Sequence, residues 1–448
     1  MRDTYLVAGC GISGIGAAKL LLDVGAEVIL YDGNTALDPE VIKGKLNHRE
    51  GIRVVLGELT PEVAGQCKAC VISPGIPLTM PFVEVLKACQ IPIWSEIELA
   101  YRFSKGKLAA ITGTNGKTTT TALVGEILAA HYDSAFVVGN IGIPYTEKAL
   151  EMREDSATVV EVSSFQLETI LDFHPTVSAI TNITPDHLNR HITMENYIAV
   201  KESVTKNQMP DQVCVLNYED PVLRTFGEHL DRRVIFFSSL HELPEGLFIR
   251  DGRIVFRHDG VEEDMVAVEE LNILGRHNYE NAMTAIAIGW AMDVPVETIR
   301  QVLMRFQPVE HRIEFVTNKN GVAYYNDSKG TNPDAAIQAV KAMVKPTILI
   351  GGGYDKGSDY DEWIATFEGK VKALVLLGQT ADQIEAAARK AGFTRILRAE
   401  SMEEAVKLSA AEAVSGDAVL LSPACASWGM FANYEERGRI FKELVRAL

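Results

Sequence analysis

The chain has no basic cluster. Its formal net charge is −17 at pH 7, and Lys and Arg are spread along it rather than gathered into runs. Nucleic-acid backbones are bound by clustered positive charge, so the composition argues against a nucleic-acid partner. Any small anionic ligand would have to bind in a local pocket.

Long apolar runs and paired cysteines are also missing. No apolar segment reaches the roughly 18 residues that a membrane span needs, so we expect no membrane insertion. The six cysteines are scattered, and Cys67-x-x-Cys70 has no second pair with which to complete a zinc site. A strand begins at once with Tyr5, which leaves no room for a signal peptide. We therefore expect a reduced, cytoplasmic protein, and we expect it to be a monomer.

Neither a low-complexity segment nor a short repeat interrupts the 448 residues. A usual domain size of about 150 residues suggests about three domains. Apolar strand-like runs alternate with helical patterns, as in βα units with mainly parallel sheets. The sequence therefore predicts an α/β fold with three domains, at residues 1–95, 96–309 and 310–448.

The segment from Leu108 to Thr120 has the pattern of a short apolar strand, a glycine-containing turn and a helix that opens with Lys-Thr. This pattern is typical of a phosphate-binding loop, in which backbone N–H groups and a helix N-terminus converge on an anion. The spacing is a shortened Gly-x-x-Gly-Lys-Thr, with Ile111 where the general form has its first glycine. Lys117 would supply positive charge and the Thr118 hydroxyl would ligate Mg²⁺, so a nucleoside triphosphate is the expected ligand. The alternative is an ordinary glycine-rich turn between a strand and a helix.

A second glycine pattern lies near the start of the chain. Gly9 to Gly14 form a complete G-x-G-x-x-G between a strand and a helix, and Asp32 closes the next strand, where a ribose-binding carboxylate would lie. Ser73-Pro74-Gly75 follows a later strand of the same block, at the edge where such sheets hold ligands. The first domain is therefore predicted to be Rossmann-like. An NAD-dependent dehydrogenase and a UDP-sugar-binding protein both meet these demands, and a purely structural turn is a third interpretation.

Two strands of the middle block lead into possible metal ligands. Glu161 lies inside the apolar run from Val159 to Val162, and a buried carboxylate of this kind is rarely without a partner. His187 follows another strand. A lone His is most often a hydrogen-bonded core residue, but His187 together with Thr118 and Glu161 favours a Mg²⁺ site.

Seven motifs, in family order, resemble those of the Mur ligases, the cytoplasmic amide-bond synthetases that build the peptide stem of peptidoglycan. They are Gly113-Thr114-Asn115-Gly116-Lys117-Thr118, Glu161-Val162-Ser163-Ser164-Phe165-Gln166, Asn182-Ile183-Thr184-Pro185-Asp186-His187-Leu188, His277-Asn278-Tyr279-Glu280-Asn281-Ala282, Glu310-His311-Arg312, Asn326-Asp327-Ser328-Lys329-Gly330-Thr331-Asn332 and Gly351-Gly352-Gly353-Tyr354-Asp355-Lys356. The resemblance covers the whole chain. Within the family, the short N-terminal block and the tail from Leu421 to Ser427 resemble the member that adds D-glutamate.

The resemblance implies an ATP-binding central domain, a Rossmann-like third domain and an ATP-driven condensation. The carboxylate of UDP-N-acetylmuramoyl-L-alanine would attack the γ-phosphorus of ATP to give an acyl phosphate, and the amine of D-glutamate would then displace phosphate. Because two polyanions must be brought together in line, Lys117 and two Mg²⁺ ions are expected to carry most of the charge neutralisation. By similarity, Lys201 becomes a metal-binding carbamate, although from the sequence alone it is an ordinary helical lysine.

The resemblance also assigns individual residues. Catalytic roles fall on Lys117, Glu161, His187 and Lys201, and metal binding on Thr118, Glu161, His187 and Lys201. ATP binding falls on Gly113, Thr114, Asn115, Gly116, Lys117, Thr118, Thr119, Asn281, His311, Arg312, Asp327 and Lys329. Binding of the UDP substrate falls on Ile12, Ser13, Asp32, Ser73, Gly75, Asn140, Ser163 and His187, and binding of D-glutamate on Thr331, Lys356, Ser427 and Tyr434. Two positions depart from the family pattern: Gly33-Asn34 lacks the Arg that some relatives use near the uracil, and Gly429 replaces a frequent Asp.

Four other functions stay open at this stage. Another Mur ligase and a folylpolyglutamate synthetase share the phosphate loop and the ATP chemistry. An NAD-dependent oxidoreductase would leave Lys117, Glu161 and His187 without a role, and a non-catalytic UDP-sugar-binding module would leave the ATP motifs unused. If the third domain completes the site, a hinge near Pro308 is expected to close it on ATP and the UDP substrate.

Overall fold

The computed structural model describes residues 2–140, 142–307, 310–355 and 357–448. Within these ranges the strands form three sheets with accompanying helices, which confirms the expected α/β class. Met1–Ala267 and Glu280–Leu303 make up one compact unit, and Val268–Tyr279 and Met304–Leu448 make up a second. Across the same described ranges, no helix combines the length and the apolar character that a membrane crossing requires.

The first sheet is built by βα units at the start of the chain. Its elements are β1 (Thr4–Ala8), α1 (Ile12–Asp23), β2 (Glu27–Asp32), α2 (Pro39–Gly44), β3 (Ile52–Leu56), α3 (Pro61–Ala64), β4 (Cys70–Ile72), α4 (Pro81–Ala88), β5 (Ile93–Ser95) and α5 (Glu96–Phe103). All its strands are parallel, in the order β3-β2-β1-β4-β5. The strand order reverses at β1, so the loops after β1 and β4 lie side by side where such sheets bind ligands.

The middle of the chain forms the largest sheet. Its elements are β6 (Lys107–Thr112), α6 (Lys117–Ala129), β7 (Ala135–Gly139), α7 (Tyr145–Lys148), β8 (Ala157–Glu161), α8 (Ser164–Leu167), β9 (Val177–Ile180), α9 (Leu188–His191), α10 (Met194–Glu202), β10 (Val213–Asn217), α11 (Pro221–His229), β11 (Arg233–Ser238), β12 (Gly246–Arg250), β13 (Arg253–His258), β14 (Val261–Ala267), α12 (Arg276–Ala291) and α13 (Val296–Arg305). The strand order is β14-β13-β12-β11-β10-β9-β6-β8-β7. Parallel pairing from β7 to β12 places the ends of β6, β8 and β9 at one edge.

An antiparallel extension of this sheet was not predicted. β12, β13 and β14 form consecutive hairpins whose two-residue turns are Asp251-Gly252 and Asp259-Gly260. All four turn residues have positive φ angles, between 48° and 76°. Asp-Gly with this geometry is a strong hairpin signal, so the extension follows from local turn chemistry.

The third sheet lies in the C-terminal part. Its elements are β15 (Glu314–Lys319), β16 (Val322–Asn326), α14 (Pro333–Ala342), β17 (Thr347–Gly351), α15 (Asp361–Ala365), β18 (Val371–Leu376), α16 (Ala381–Lys390), β19 (Ile396–Arg398), α17 (Met402–Glu412), β20 (Ala418–Leu421) and α18 (Tyr434–Ala447). The order is β15-β16-β20-β17-β18-β19, parallel except for β15 at one end.

Buried side chains define where each sheet packs. Every residue of β8, β9 and β10 is buried, as in parallel strands that are covered on both faces. The first and central sheets share one continuous hydrophobic cluster. The third sheet has a separate cluster on each face, one around Leu349 and one around Ile348. The unit that carries the third sheet therefore has a core of its own.

Candidate active site

The phosphate-binding loop joins β6 to α6. Gly113 and Gly116 have φ angles of 135° and 86°, a region that favours glycine. Lys117 is the first residue of α6, and its Nζ donates to the carbonyl oxygens of Gly113 (2.9 Å) and Thr114 (2.8 Å). The ammonium therefore lies over the turn, at a helix N-terminus where negative charge is favoured.

The segment after β9 holds this loop in place. The Asn115 amide donates to Oδ1 of Asn182 (2.9 Å), and the Thr181 hydroxyl donates to the Asn115 carbonyl (2.6 Å). The Thr114 hydroxyl donates to the Thr184 carbonyl (3.1 Å), and the Thr184 amide donates back to that hydroxyl (3.0 Å). These bonds order the loop within the protein itself, which lowers the entropic cost of binding an anion.

Asn281 of α12 packs against the same loop. Its side chain is buried, and its Oδ1 accepts from the Thr120 hydroxyl (3.3 Å). A β-carbon at Gly116 would overlap Asn281 Oδ1. Thr118 and Thr119, in the first turn of α6, are buried as well. The residues predicted to bind ATP in this part of the chain therefore form one cluster.

Glu161 ends β8 beside the loop. Its side chain is buried, and its Oε1 accepts from Nδ2 of Asn140 (2.9 Å). Its Oε2 is buried and has no hydrogen-bond partner among the described residues. Such an oxygen is costly to bury unless a cation or a proton satisfies it. The carboxylate, with the Thr118 hydroxyl, fits Mg²⁺, which prefers oxygen ligands.

His187 is the N-cap of α9 and has a left-handed conformation, with φ of 52°. Its side chain is 49% exposed. Partial burial lowers its pKa, Asp186 opposes this, and Lys117 and Lys201 lower it further. The neutral imidazole, which carries the lone pair that a metal needs, is therefore favoured.

Lys201 lies in the last turn of α10 and is buried, although the sequence alone suggested a solvated lysine. Its Nζ donates to the Gly113 carbonyl (2.8 Å) and lies 4.8 Å from the centroid of the Tyr197 ring. Burial, and then the charge of Lys117, hold its pKa well below the usual value. The amine is thus biased toward its neutral, nucleophilic form.

Tyr197 was missed by sequence reasoning. It is one helical turn before Lys201, is buried, and its hydroxyl lies 3.0 Å from the Thr114 hydroxyl. The spacing of four residues on α10 was the available signal, because such residues share a helix face.

The first sheet carries a cavity of about 300 Å³ beside the Gly9-to-Gly14 turn. Its lining includes Cys10, Gly11, Asp32, Asn34 and Lys45. The carboxylate of Asp32 accepts from the amides of Cys10 (3.2 Å) and Asn34 (3.0 Å). The acid predicted to bind ribose is therefore held at the turn.

The other residues predicted to bind the UDP substrate fall into two groups. Ile12 and Ser13 open α1, and Ser73 and Gly75 lie in the neighbouring loop after β4. Asn140 and Ser163 lie instead at the central sheet, Asn140 on Glu161 and Ser163 as the N-cap of α8.

Gln166 continues this network toward the first sheet. The Ser163 amide and hydroxyl both donate to its Oε1, at 2.7 and 2.9 Å. Its Nε2 donates to Oε1 of Glu96 (2.6 Å), which opens α5. Burial raises the pKa of Glu96 to about 6.

In the second unit, His311, Lys329 and Tyr434 lie together beside the end of β16. The Lys329 amide donates to the His311 carbonyl (3.0 Å). The Tyr434 ring centroid lies 5.6 Å from Lys329 Nζ and 6.1 Å from the His311 ring. Thr331 follows in the same loop, and its amide donates to the Lys329 carbonyl (2.8 Å).

Asp327 is buried in this loop and accepts from the Ser422 hydroxyl (2.7 Å). Burial raises its pKa to about 7, although Ser422 and the charge of Arg312 oppose the shift. Ser427 is buried in the loop after β20, next to Ala426, whose carbonyl accepts from the Tyr354 amide (2.9 Å). Lys356 and Pro308 lie outside the described residues, so their roles stay predictions.

Arg437 of α18 was also missed. It is buried and donates to the Ser328 hydroxyl (2.9 Å), the Ser328 carbonyl (2.7 Å) and the Cys425 carbonyl (3.1 Å). It therefore joins the loop of Asp327 to the loop of Ser427. Its position three residues after Tyr434, on the same helix face, was the available signal.

One acidic cluster resembles a metal site but already contains a cationic side chain. Ligand atoms of Glu310, His311 and Glu314 lie within 4.8 Å of one another. Lys442 of α18 places its Nζ 2.5 Å from Glu310 and 2.9 Å from Glu314. The ammonium already pairs with both carboxylates, so the cluster is an ion-pair network.

Family models match three consecutive parts of the chain. Residues 3–95 match the Mur ligase MurD-like N-terminal domain, residues 111–289 the Mur ligase middle domain, and residues 311–425 the Mur ligase glutamate ligase domain.

Individual proteins agree with these matches. The chain is 55% identical to the UDP-N-acetylmuramoylalanine--D-glutamate ligase of Lachnoclostridium phytofermentans, over 99% of this chain and 98% of that protein. It is 54% identical to the ligase of the same name from Lachnospira eligens, over 100% and 99%. A solved structure of MurF ligase from Thermotoga maritima in complex with ADP shares the fold, with a TM-score of 0.60 at 16% identity over 100% of this chain and 96% of that one. The chain belongs to the Mur ligase family.

Proposed function

We propose that this protein is an ATP-dependent ligase that joins D-glutamate to UDP-N-acetylmuramoyl-L-alanine in peptidoglycan precursor synthesis. Relatives that are more than half identical over nearly their full length carry the name of that activity. One observation carries the proposal at the site itself: Lys117 donates to the carbonyls of Gly113 (2.9 Å) and Thr114 (2.8 Å), over the turn of the phosphate loop. An ammonium over this turn, at a helix N-terminus, suits a polyphosphate substrate.

The reaction has two steps. The alanyl carboxylate attacks the γ-phosphorus of ATP, which forms the acyl–phosphate bond and releases ADP. The neutral amine of D-glutamate then attacks the acyl carbon, phosphate leaves, and the amine proton is lost to solvent or a base. Lys117 neutralises charge on the transferred phosphoryl group, and the ordered loop keeps the reacting atoms in line.

Thr118, Glu161 and His187 are the residues that would hold Mg²⁺, at two sites by similarity. Mg²⁺ neutralises phosphate and carboxylate charge when it is bound. The orphan Oε2 of Glu161 and the lowered pKa of His187 support this assignment. Asn140 fixes the orientation of the Glu161 carboxylate through its hydrogen bond to Oε1.

Lys201 joins this donor set as a carbamate. Its neutral amine would attack CO₂, so that an N–C bond forms while one C=O π bond opens onto oxygen. Loss of a proton from nitrogen to solvent would then leave a carboxylate on a long stem. The buried position and the lowered pKa support this step, because only the neutral amine is a nucleophile.

The substrates divide among the proposed domains, 1–95, 96–309 and 310–448. The UDP moiety binds at Ile12, Ser13, Asp32, Ser73 and Gly75, with Asn140, Ser163 and His187 toward the reacting end. ATP binds at the phosphate loop and Asn281, with His311, Arg312, Asp327 and Lys329. D-Glutamate binds at Thr331, Lys356, Ser427 and Tyr434. We place this reaction in the cytoplasm, where ATP is available, and propose a monomer.

Phosphate release tests the proposal. The protein would be incubated with ATP, Mg²⁺ and UDP-N-acetylmuramoyl-L-alanine, together with D-glutamate, L-glutamate or no amino acid, and Lys117→Ala would serve as the inactive control. We expect release only with the complete mixture that contains D-glutamate. Release with another amino acid or another UDP precursor would move the chain to a different Mur ligase, and no release with any mixture would overturn the ligase proposal.

A further inference from the structure

Arg190 lies three residues after His187, on α9, and is largely buried. Its side chain is 13% exposed, and that of its partner Glu168 is 12% exposed. Nε and Nη2 of Arg190 donate to the two carboxylate oxygens of Glu168, at 3.2 and 2.6 Å. This bidentate geometry fixes the plane of the guanidinium.

The same guanidinium reaches the first sheet. Nη1 donates to the Pro74 carbonyl (2.6 Å) and Nη2 to the Ile76 carbonyl (3.2 Å). Both carbonyls belong to the loop after β4, which contains Ser73 and Gly75. A single side chain of the central sheet therefore holds two backbone groups of a loop at the first sheet.

This loop in turn packs on the glycine turn after β1. A β-carbon at Gly9 would lie 2.6 Å from the Ser73 hydroxyl oxygen, and one at Gly14 would lie 3.2 Å from it. The Ser73 amide donates to the Ala8 carbonyl (3.0 Å). A displacement of the loop would therefore change the surface of the turn where the UDP moiety is proposed to bind.

On its other side, Arg190 is connected to His187 through one aromatic ring. The guanidinium carbon lies 4.2 Å from the centroid of the Phe165 ring, and the centroid of the His187 ring lies 4.8 Å from it. His191 stacks on the same ring and lies 2.9 Å from the Ser164 hydroxyl. The contacts thus run without a gap from the glycine turn to the proposed metal ligand.

We propose that Arg190 is a positioning residue that fixes the 73–76 loop against α9. It thereby holds the UDP-binding turn and His187 in fixed positions relative to each other. Arginine suits this role because its rigid fork serves a carboxylate and two carbonyls at once, whereas the single ammonium of lysine cannot. Glu168 keeps the buried guanidinium neutralised and oriented. The kinetic part of this inference rests on the proposed function, but the structural part does not.

Hydrogen exchange tests the structural part without substrates. The amides from Gly75 to Met80 would be followed in the wild-type chain and in Arg190→Lys and Arg190→Met. The matched control is Arg102→Lys in α5, since Arg102 also binds a buried carboxylate, Glu98 (2.8 Å), and stacks on an aromatic ring, Trp94 (4.3 Å). We expect exchange in this loop to accelerate about tenfold in both Arg190 variants and to stay unchanged in the control. Unchanged exchange in the folded Arg190→Lys variant would overturn the proposal.

Binding and kinetics test the functional part. We expect Arg190→Lys to weaken calorimetric binding of UDP-N-acetylmuramoyl-L-alanine, and to raise its KM, about tenfold, with the KM for ATP unchanged, because the substrate must then order the loop itself. Glu168→Gln is expected to produce a smaller change in the same direction. Equal rises in both KM values, or a fall in kcat alone, would contradict positioning at the UDP end. If the wild-type chain releases no phosphate, the proposed function fails, while the exchange result still decides the role of Arg190 in the loop.

Discussion

At Lys201, burial and a neighbouring charge act on the same amine in the same direction. Both favour the neutral form, so burial of an unmodified Lys201 lowers the stability of the fold at neutral pH. The proposed carbamate would avoid this cost, because it would replace a buried amine with a carboxylate that a bound metal would neutralise. The proposed role of Lys201 therefore depends on the carbamate and not on the free amine.

We expect Lys201→Ala to lower kcat about a hundredfold or more, because the variant loses a proposed metal ligand. Acetate or formate is expected to restore part of the activity by supplying a carboxylate in the space left by the side chain. Lys206→Ala is the control, since Lys206 donates to the Ile170 carbonyl (3.4 Å) and is not among the proposed site residues. Phosphate release measured against acid concentration checks this prediction, and a failure of every small acid to rescue the variant would count against the carbamate.

Glu96 gives a second prediction at the residue scale. Its pKa is about 6 in the folded chain against an ordinary 4.5, because the carboxyl is buried. The folded state therefore keeps its proton to higher pH than the unfolded state, and this group's contribution to stability falls as pH rises from about 4.5 to about 6. In the Glu96→Gln variant the new amide cannot ionise, yet its carbonyl can still accept from Gln166.

The stability of Glu96→Gln relative to wild type should therefore rise by about 1.6 kcal/mol between pH 4.5 and pH 7.5. Urea unfolding at both pH values measures the two free energies, and any constant cost of the amide cancels in the difference. Parallel pH profiles for the two chains would show that Glu96 does not ionise differently on folding.

At the scale of elements, the turn between β1 and α1 depends on glycine at specific positions. A β-carbon at Gly14 would overlap the carbonyl oxygen of Gly9, whereas one at Gly11 would meet nothing within 4 Å. We expect Gly14→Ala to destabilise the chain by about 3 kcal/mol and Gly11→Ala by less than about 0.5 kcal/mol. Denaturant unfolding of both variants provides the measurement, and equal losses would mean that the close approach of α1 to the turn is not what requires glycine.

The elements that could be predicted are those whose signal is local. The phosphate loop and the first glycine turn follow from a few adjacent residues, and both lie where expected. The hairpins at Asp251-Gly252 and Asp259-Gly260 also had a local signal, but the mainly parallel pattern around them obscured it. The residues of a turn were therefore sufficient to predict the phosphate loop and the first glycine turn, and the same kind of signal was present at both hairpins.

The contacts that could not be predicted join distant parts of the chain. The burial of Lys201 on the Gly113 carbonyl and the bonds of Arg190 to Pro74 and Ile76 depend on how helices and sheets pack. A helical lysine or arginine has the same local pattern whether it is solvated or buried. Only the family resemblance identified Lys201, and it did not identify Arg190.

At the scale of the whole molecule, hydrophobic cores divide the chain into parts that can unfold separately. The first and central sheets share a continuous cluster, whereas the third sheet has clusters on its own two faces. Cooperative unfolding follows shared cores, so the two compact units should melt in separate transitions. Trp363, fully buried in the third-sheet core, allows the transitions to be assigned.

Calorimetry of the whole chain should therefore show two transitions. Trp363→Phe should lower the midpoint temperature of only one of them. UDP at a concentration of about a hundredfold its Kd should raise the midpoint temperature of the other transition. The rise should be equivalent to about 2.7 kcal/mol of stability, because the proposed UDP site lies in the unit of the first sheet. Asp32→Asn should remove most of this shift, since Asp32 lines the cavity beside the glycine turn. A shift of the transition assigned by Trp363 would place UDP in the second unit, and a single transition that moves as a whole would mean that the two units unfold together.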